Sequence, residues 1–346
     1  MKKALALILC LGLLLCSLSG CQSGEKDSAV NLLTYEGYIP DSVVDAFTKE
    51  TGIKINLTPI SSNEELYEKL KNSPDLYDLV IASDYMLDTM IAEDMLLPLD
   101  KTKLENYGNL NAEYMGQYYD PANEYTIPYA AGRPLIVYDP EKVSVDITSY
   151  ADLWDASLAD SIVMIDDMRV VTGITLLSMG YGMNETDPEI LSAALDKLKA
   201  LKPNVKVFTS NYPEQSLISG DASVGFMFSA SAALLSGSDK EFKIVYPSEG
   251  LGFGIDCLAV SKQAPNADNT YRLLDYLLQA EVGASISEQI LYLCCNEAAE
   301  AYLSDEYKSN PALFISEEFK DAGFILSLDE AANKIYSDNW TLFKNS

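Results

Sequence analysis

The sequence predicts an α/β protein built as two lobes. Three observations lead there. At 346 residues the chain is longer than a single minimal core organises. From residue 30 onward its apolar runs alternate between strand length and helical spacing. A 48 % hydrophobic share with 22 % charged residues, 19 Gly and 14 Pro is the composition of a folded globular chain. Such alternation implies mostly parallel sheets covered on both faces by helices, with right-handed crossovers and ligands at the carboxyl ends of strands.

Val30 to Tyr35 reads as the first strand, and Ile39-Pro40-Asp41-Ser42 opens a helix whose Val43, Val44 and Phe47 share a face. Gly52 stops it. Residues 53–59 form the next strand, and Ser62 with Glu65 makes a capping box before Leu66, Tyr67 and Leu70. A strand over 78–83 and a helix over 86–94 complete a βαβαβ pattern. Two apolar runs within 125–140 flank Ala130-Ala131-Gly132-Arg133-Pro134, the expected crossing into the second lobe. There, segments 161–165, 188–201, 222–228 and 242–246 repeat the alternation. No internal repeat, Gly-rich phosphate loop or dinucleotide fingerprint is present.

The amino terminus reads as an address. Lys2 and Lys3 precede an apolar run, residues 4–18, that is short of the roughly 20 residues a membrane span needs. It ends Leu18-Ser19-Gly20-Cys21, which resembles the lipobox at which bacterial lipoproteins are cleaved and acylated on the cysteine. Residues 1–20 are therefore expected to be a signal peptide, Cys21 a lipidation site and 21–29 a polar tether. The domain is expected to sit outside the cell membrane, anchored by acyl chains.

Charge and composition exclude much else. With 52 Asp+Glu against 24 Lys+Arg the net charge is −28, which repels phosphate backbones and excludes unassisted nucleic-acid binding while favouring cationic partners. The chain has no histidine, so Ser-His-Asp and Cys-His nucleophile systems are impossible. Of the cysteines, Cys257, Cys294 and Cys295 remain after cleavage; adjacent Cys294 and Cys295 are poorly placed for a mutual bridge, which leaves buried thiols or one bridge to Cys257. No metal or redox motif stands out, and no cofactor is expected.

Tyr35-Glu36-Gly37-Tyr38-Ile39-Pro40, the FTKETGI of 47–53, Tyr77-Asp78-Leu79-Val80, Ser83-Asp84-Tyr85, Tyr125-Thr126-Ile127-Pro128-Tyr129, Ala151-Asp152-Leu153-Trp154, Ile165-Asp166-Asp167-Met168-Arg169 and Gly254-Ile255-Asp256-Cys257 occur in one collinear order. In that order and spacing the chain resembles the spermidine/putrescine-binding proteins of bacterial ABC importers. The resemblance implies a type II periplasmic-binding-protein-like fold: two discontinuous α/β lobes joined by a hinge that closes over ligand. Lobe one is then expected from 30–133 plus 257–303, and lobe two from 134–256 plus 304–346.

Recognition of a flexible diammonium chain calls for carboxylates at the charges and aromatic faces along the methylenes. Carried over from the family, the ligand contacts fall on Tyr35, Tyr38, Ser83, Tyr85, Asp167, Phe228, Asp256 and Tyr292. Tyr35 and Phe228 stand where the family has tryptophan, as does Gly254. Glu36 sits one position before the family's acid, Val170 replaces a second acid, and Ile325 falls near a glutamine. These departures imply a pocket with fewer acids and smaller rings, suited equally to a diamine or another organic cation.

Bland alternatives exist for several of these residues. Asp167 suits a helix N-cap, Ser83 and Tyr85 suit a cap and core, and Asp84 suits a cap without a ligand role. Asp256, inside the apolar strand 253–260, requires a partner, either a ligand ammonium or Arg133. The functional expectation is a monomeric, lipid-anchored, non-enzymatic receptor that delivers a small organic cation to an ABC permease. The alternatives are a receptor for another amine, an amino-acid derivative or ferric iron, or an extracellular hydrolase using paired carboxylates.

Overall fold

The computed structural model describes residues 28–314, 319 and 321–346, so the expected signal peptide and Cys21 lie outside the described residues. In chain order the elements are β1 (Ala29–Tyr35), α1 (Asp41–Thr51), β2 (Lys54–Ile60), α2 (Asn63–Asn72), β3 (Leu79–Ser83), α3 (Asp84–Ala92), β4 (Thr126–Gly132) and β5 (Pro134–Tyr138). They continue with β6 (Ile162–Met164), α4 (Met168–Leu177), α5 (Pro188–Leu201), β7 (Val205–Phe208), α6 (Glu214–Ile218), β8 (Val224–Phe228), α7 (Ser229–Leu235), β9 (Lys243–Val245) and β10 (Leu251–Val260). The last are α8 (Ala267–Leu277), α9 (Ala280–Ile290), β11 (Leu293–Cys294), α10 (Asp305–Lys308), β12 (Asp321–Phe324) and α11 (Glu330–Lys344).

Local chemistry sets the ends of these elements. Gly52 takes the left-handed conformation, φ 73°, that closes α1 at little steric cost. Pro188 starts α5 behind Asp187, whose carboxylate accepts from the amides of Glu189 and Ile190. The capping box at α2 is only half formed: Ser62 accepts from the Glu65 amide at 3.1 Å, but the Glu65 carboxylate turns back one residue further, to Ser61 N at 2.9 Å.

Two sheets result. The first runs β11-β4-β10-β3-β1-β2, with β12 added beside β10, and the second runs β7-β6-β8-β5-β9. Both are mixed, not mostly parallel as expected. β1 pairs parallel with β2 and β3, and β6 with β7 and β8, whereas β10 runs antiparallel to β3 and β4, and β5 to β8 and β9. The antiparallel pairings involve the strands at which the chain changes sheets: β4 leads through Arg133 into β5 of the second sheet, and β10 brings the chain back to the first.

Period-2 alternation splits the first sheet between two cores. Leu79 and Ile81 of β3 face Phe47 of α1 and Leu274 of α8, while Val80 and Ala82 face Leu66 and Leu70 of α2 and Met90 of α3. One larger core, including Ile136, Val163, Phe226 and Phe343, fills the second sheet and its helices. Each fully buried Leu or Phe contributes about 1.5–3 kcal/mol through burial, so these layers hold the sheets rigid beneath the loops at their edges.

The crossings differ from the expected division. β4 ends at Gly132 and β5 begins at Pro134, leaving Arg133 alone between the sheets. All of β10 from Leu251 belongs to the first sheet, and so does β12, whereas the expected division places 251–256 and 321–324 in the second lobe. β12 holds its place by backbone pairing to β10, which its short glycine-containing sequence does not advertise. Among the described residues Cys257, Cys294 and Cys295 are free: Cys257 and Cys295 are buried, and Cys257 Sγ lies 3.2 Å from the Tyr119 hydroxyl.

Candidate ligand-binding site

Tyr35 ends β1, Ser83 ends β3 and Phe228 ends β8, while Asp167 follows β6 by three residues, so the expected site residues collect at the carboxyl ends of parallel strands. Asp256 joins them from β10, in register with Ser83. Its carboxylate accepts from the Ser83 hydroxyl at 2.6 Å and from the Tyr38 hydroxyl. Burial pushes its carboxyl above the usual range, and those two hydrogen bonds pull it partly back.

Arg133 is not its partner. The guanidinium lies 3.7 Å from Asp321 and 4.7 Å over the Phe253 ring. Ser83 is not a helix cap either: it occupies the N-cap position of α3, but its hydroxyl serves Asp256 instead. The Asn63 amide organises this corner, donating to the Ser83 hydroxyl at 3.0 Å and the Tyr85 hydroxyl at 3.1 Å, while its oxygen accepts from Ser83 N at 3.1 Å.

Aromatic rings form the wall around Asp256. Tyr38 meets Tyr35 edge-on at 5.7 Å and Tyr292 edge-on at 5.6 Å, and its carbonyl accepts from the Tyr129 hydroxyl at 2.6 Å. The turn that presents Tyr38 needs Gly37 at φ 72°. That explains why no acid precedes Tyr38, and it leaves Glu36 exposed on the surface. Tyr292 packs against Gly132, where a Cβ would come within 2.7 Å of its ring. Burial raises the hydroxyls of Tyr35, Tyr38 and Tyr292, and the Asp256 charge raises them further. All three stay protonated, and that of Tyr38 donates to Asp256.

Asp167 is the N-cap of α4, accepting from the amides of Arg169 and Val170 at 2.9 Å. The capping role is therefore real, yet the carboxyl is also pushed up to about 6, first by burial and next by the charge of Glu64. Glu64, in the first turn of α2, was not among the expected site residues. It accepts from the Tyr85 hydroxyl at 3.2 Å. Arg169, two residues after Asp167, stacks 5.2 Å over the same Tyr85 ring, so Tyr85 is where the two sheets' helices meet. No sequence signal singled out Glu64, because helix first turns attract acids for dipole reasons alone.

Asp84 is buried and pushed up to about 8 by desolvation, and its carboxylate joins α3 to β10 through the Tyr85 and Ile255 amides, 2.7 and 3.2 Å away. It is linked to structure, not to the cleft. Phe228 packs against the second lobe's core and forms no ring pair with the tyrosines among the described residues. At Gly254, where the resemblance places a tryptophan, an added Cβ would meet nothing within 4 Å. The site is roomier there.

A two-sheet α/β receptor with aromatic rings and carboxylates at its strand ends is a solute-binding arrangement. Residues 42–315 match the bacterial extracellular solute-binding proteins, and the chain belongs to that family. It is 34 % identical over 346 residues, 99 % of both chains, to the spermidine/putrescine-binding periplasmic protein of Escherichia coli. It is 35 % identical over 316 residues to the protein of that name from Salmonella typhimurium, covering 91 % of this chain and 90 % of the other. A solved structure described as a putative spermidine/putrescine ABC transporter from Listeria monocytogenes superposes with a TM-score of 0.87 at 28 % identity, covering 92 % of this chain and 99 % of the other. The fold is that of the type II periplasmic binding proteins.

Proposed function

We propose that the protein captures a polyamine-class organic cation between two lobes and delivers it to the permease of an ABC importer. The observation that carries this reading is Asp256: a carboxylate held among Tyr35, Tyr38 and Tyr292, oriented by two hydroxyls and without a cationic side chain paired to it among the described residues. A buried charge of that kind is costly unless a cation neutralises it. Relatives named for spermidine and putrescine binding support the ligand class.

In this reading Tyr38, Ser83 and Asp256 hold one ammonium, Tyr35 and Tyr292 cover methylenes, and Tyr85 with Asp167 faces the other end. Phe228 closes the second lobe's side. The lobes divide at Arg133, with 251–260 and 321–324 counted in the first, as the strand pairing supports. The protein acts as a monomeric receptor with no reaction of its own, tethered outside the membrane through lipidated Cys21.

A thermal-shift screen tests it directly. Putrescine, cadaverine, agmatine and spermidine are compared with choline and neutral amino acids. A true ligand at 100 times its Kd adds about 2.7 kcal/mol of apparent stability. The reading fails if no diamine or polyamine shifts the melt while an amino acid does.

A further inference from the structure

The family resemblance places a second acid at the position of Val170, and none is there. Glu64 approaches the same region from the opposite lobe. Its carboxylate is held by the Tyr85 hydroxyl at 3.2 Å, and the Tyr85 ring carries Arg169 of α4 on its face at 5.2 Å, so Glu64 and the turn that Asp167 caps both border Tyr85, close enough for the Glu64 charge to act on Asp167.

The neighbouring acid is accounted for differently. Glu65 is turned back to Ser61 and pairs with Lys69 at 3.4 Å. Among the described residues, neither Glu64 nor Asp167 forms an ion pair. The nearest cation, Arg169, is committed elsewhere, donating to the Leu326 carbonyl at 2.6 Å and lying between the rings of Tyr85 and Tyr336.

We infer that Glu64 is a specificity-determining contact of the ligand site, clamping the far ammonium of an α,ω-diammonium ligand against Asp167 of the other lobe. This rests on the polyamine reading above. Two like charges on facing lobes repel and favour separation, and a dication end placed between them turns that repulsion into attraction to both sides. Ligand charge is thereby linked to lobe closure. The charge of Glu64 acts on the Asp167 carboxyl, which it helps to raise.

Glu64→Gln is nearly isosteric and keeps an acceptor for Tyr85, so fold and site shape are retained. Calorimetric titration of the full chain with putrescine is the test, run from pH 5 to pH 8 on wild type and variant. Loss of a charge-assisted contact weakens binding by about tenfold or more. The pH at which affinity is half lost also moves down in the variant, because Asp167 no longer faces a second charge. Unchanged affinity in the variant overturns the inference and leaves the polyamine reading standing. Weaker binding with an unmoved pH midpoint overturns it too, since Glu64 would then serve only to prop Tyr85. A wild-type protein that binds no diamine removes the polyamine reading and this inference together.

Discussion

Replacing Asp256 by Asn removes the charge at the centre of the tyrosine cage and keeps its shape. In the apo protein the change is nearly balanced. The amide oxygen still accepts from Ser83, now 2.6 Å away, and the Tyr38 hydroxyl turns from donor to acceptor for the new NH2. Two charge-assisted hydrogen bonds become neutral ones, a loss of about 1 kcal/mol each, while the desolvation of a buried charge is relieved by several kcal/mol. Apo stability therefore stays level or rises. Binding changes far more. A ligand ammonium loses its ionic partner in a site lined by rings, which costs about 2–4 kcal/mol, or roughly 30- to 700-fold in Kd. Calorimetric titration with putrescine, beside thermal melts of both apo proteins, reads the two quantities separately. A Kd equal to wild type together with a sharply lower apo melting temperature would refute the reasoning, because Asp256 would then be a structural charge. Arg133 gives no ground for that outcome, being engaged by Asp321 and Phe253.

Three further outcomes are expected. Asp167 is raised to about 6 and Asp84 to about 8, each by burial first, with Glu64 then adding to the former and Asp256 to the latter while Arg169 opposes both; since folded carboxyls with raised pKa favour the protonated native state, their stabilisation is present below pH 4 and is lost as pH rises through about 6 and about 8. Apo melts should accordingly fall between pH 5 and pH 8 while affinity for a protonated diamine climbs, and a flat affinity profile would contradict the Asp167 role. Gly132→Ala drives a methyl to 2.7 Å from the Tyr292 ring and 3.0 Å from Ser229 Oγ, so it should cost about 1–3 kcal/mol and weaken diamine binding, an effect absent if the Gly132 neighbourhood is slack. Cys21→Ser should move the protein from the membrane fraction to the soluble one without altering its melt; retention in the membrane would reject lipid anchoring.

What could be read from the sequence was local. The stop at Gly52, the helix from Pro188 and the strand through Leu79–Ser83 each depend on residues within a turn or strand, and all stand in the structure as expected. What could not be read depends on meetings across the chain. Glu64 resembles any acid in a helix first turn until α2 is laid beside α3 and Tyr85 reaches it, 21 positions away in sequence. β12 contains Asp321, Ala322 and Gly323, a poor strand sequence, and exists because the edge of β10 offers it hydrogen bonds. The sense of β10 was equally hidden, since its apolar pattern is the same whichever way it runs. Among the site residues, Asp256 stood out because a lone acid in an apolar strand demands an explanation, whereas Asp167 satisfied a capping pattern and gave no sign that it also faces a second carboxylate.

The placement of β10 between β4 and β3 bears on how the chain is made. Residues 29–132 cannot complete their sheet until Leu251 onward has been synthesised, for the gap between Val80 and Ile127 is filled only by a strand bearing Ala259 and Leu258. The early segment therefore waits, with both of its strand edges open, for most of the polypeptide to follow. Such long-range closure slows folding. Until β10 arrives, the topology itself keeps residues 29–132 from locking into a completed sheet.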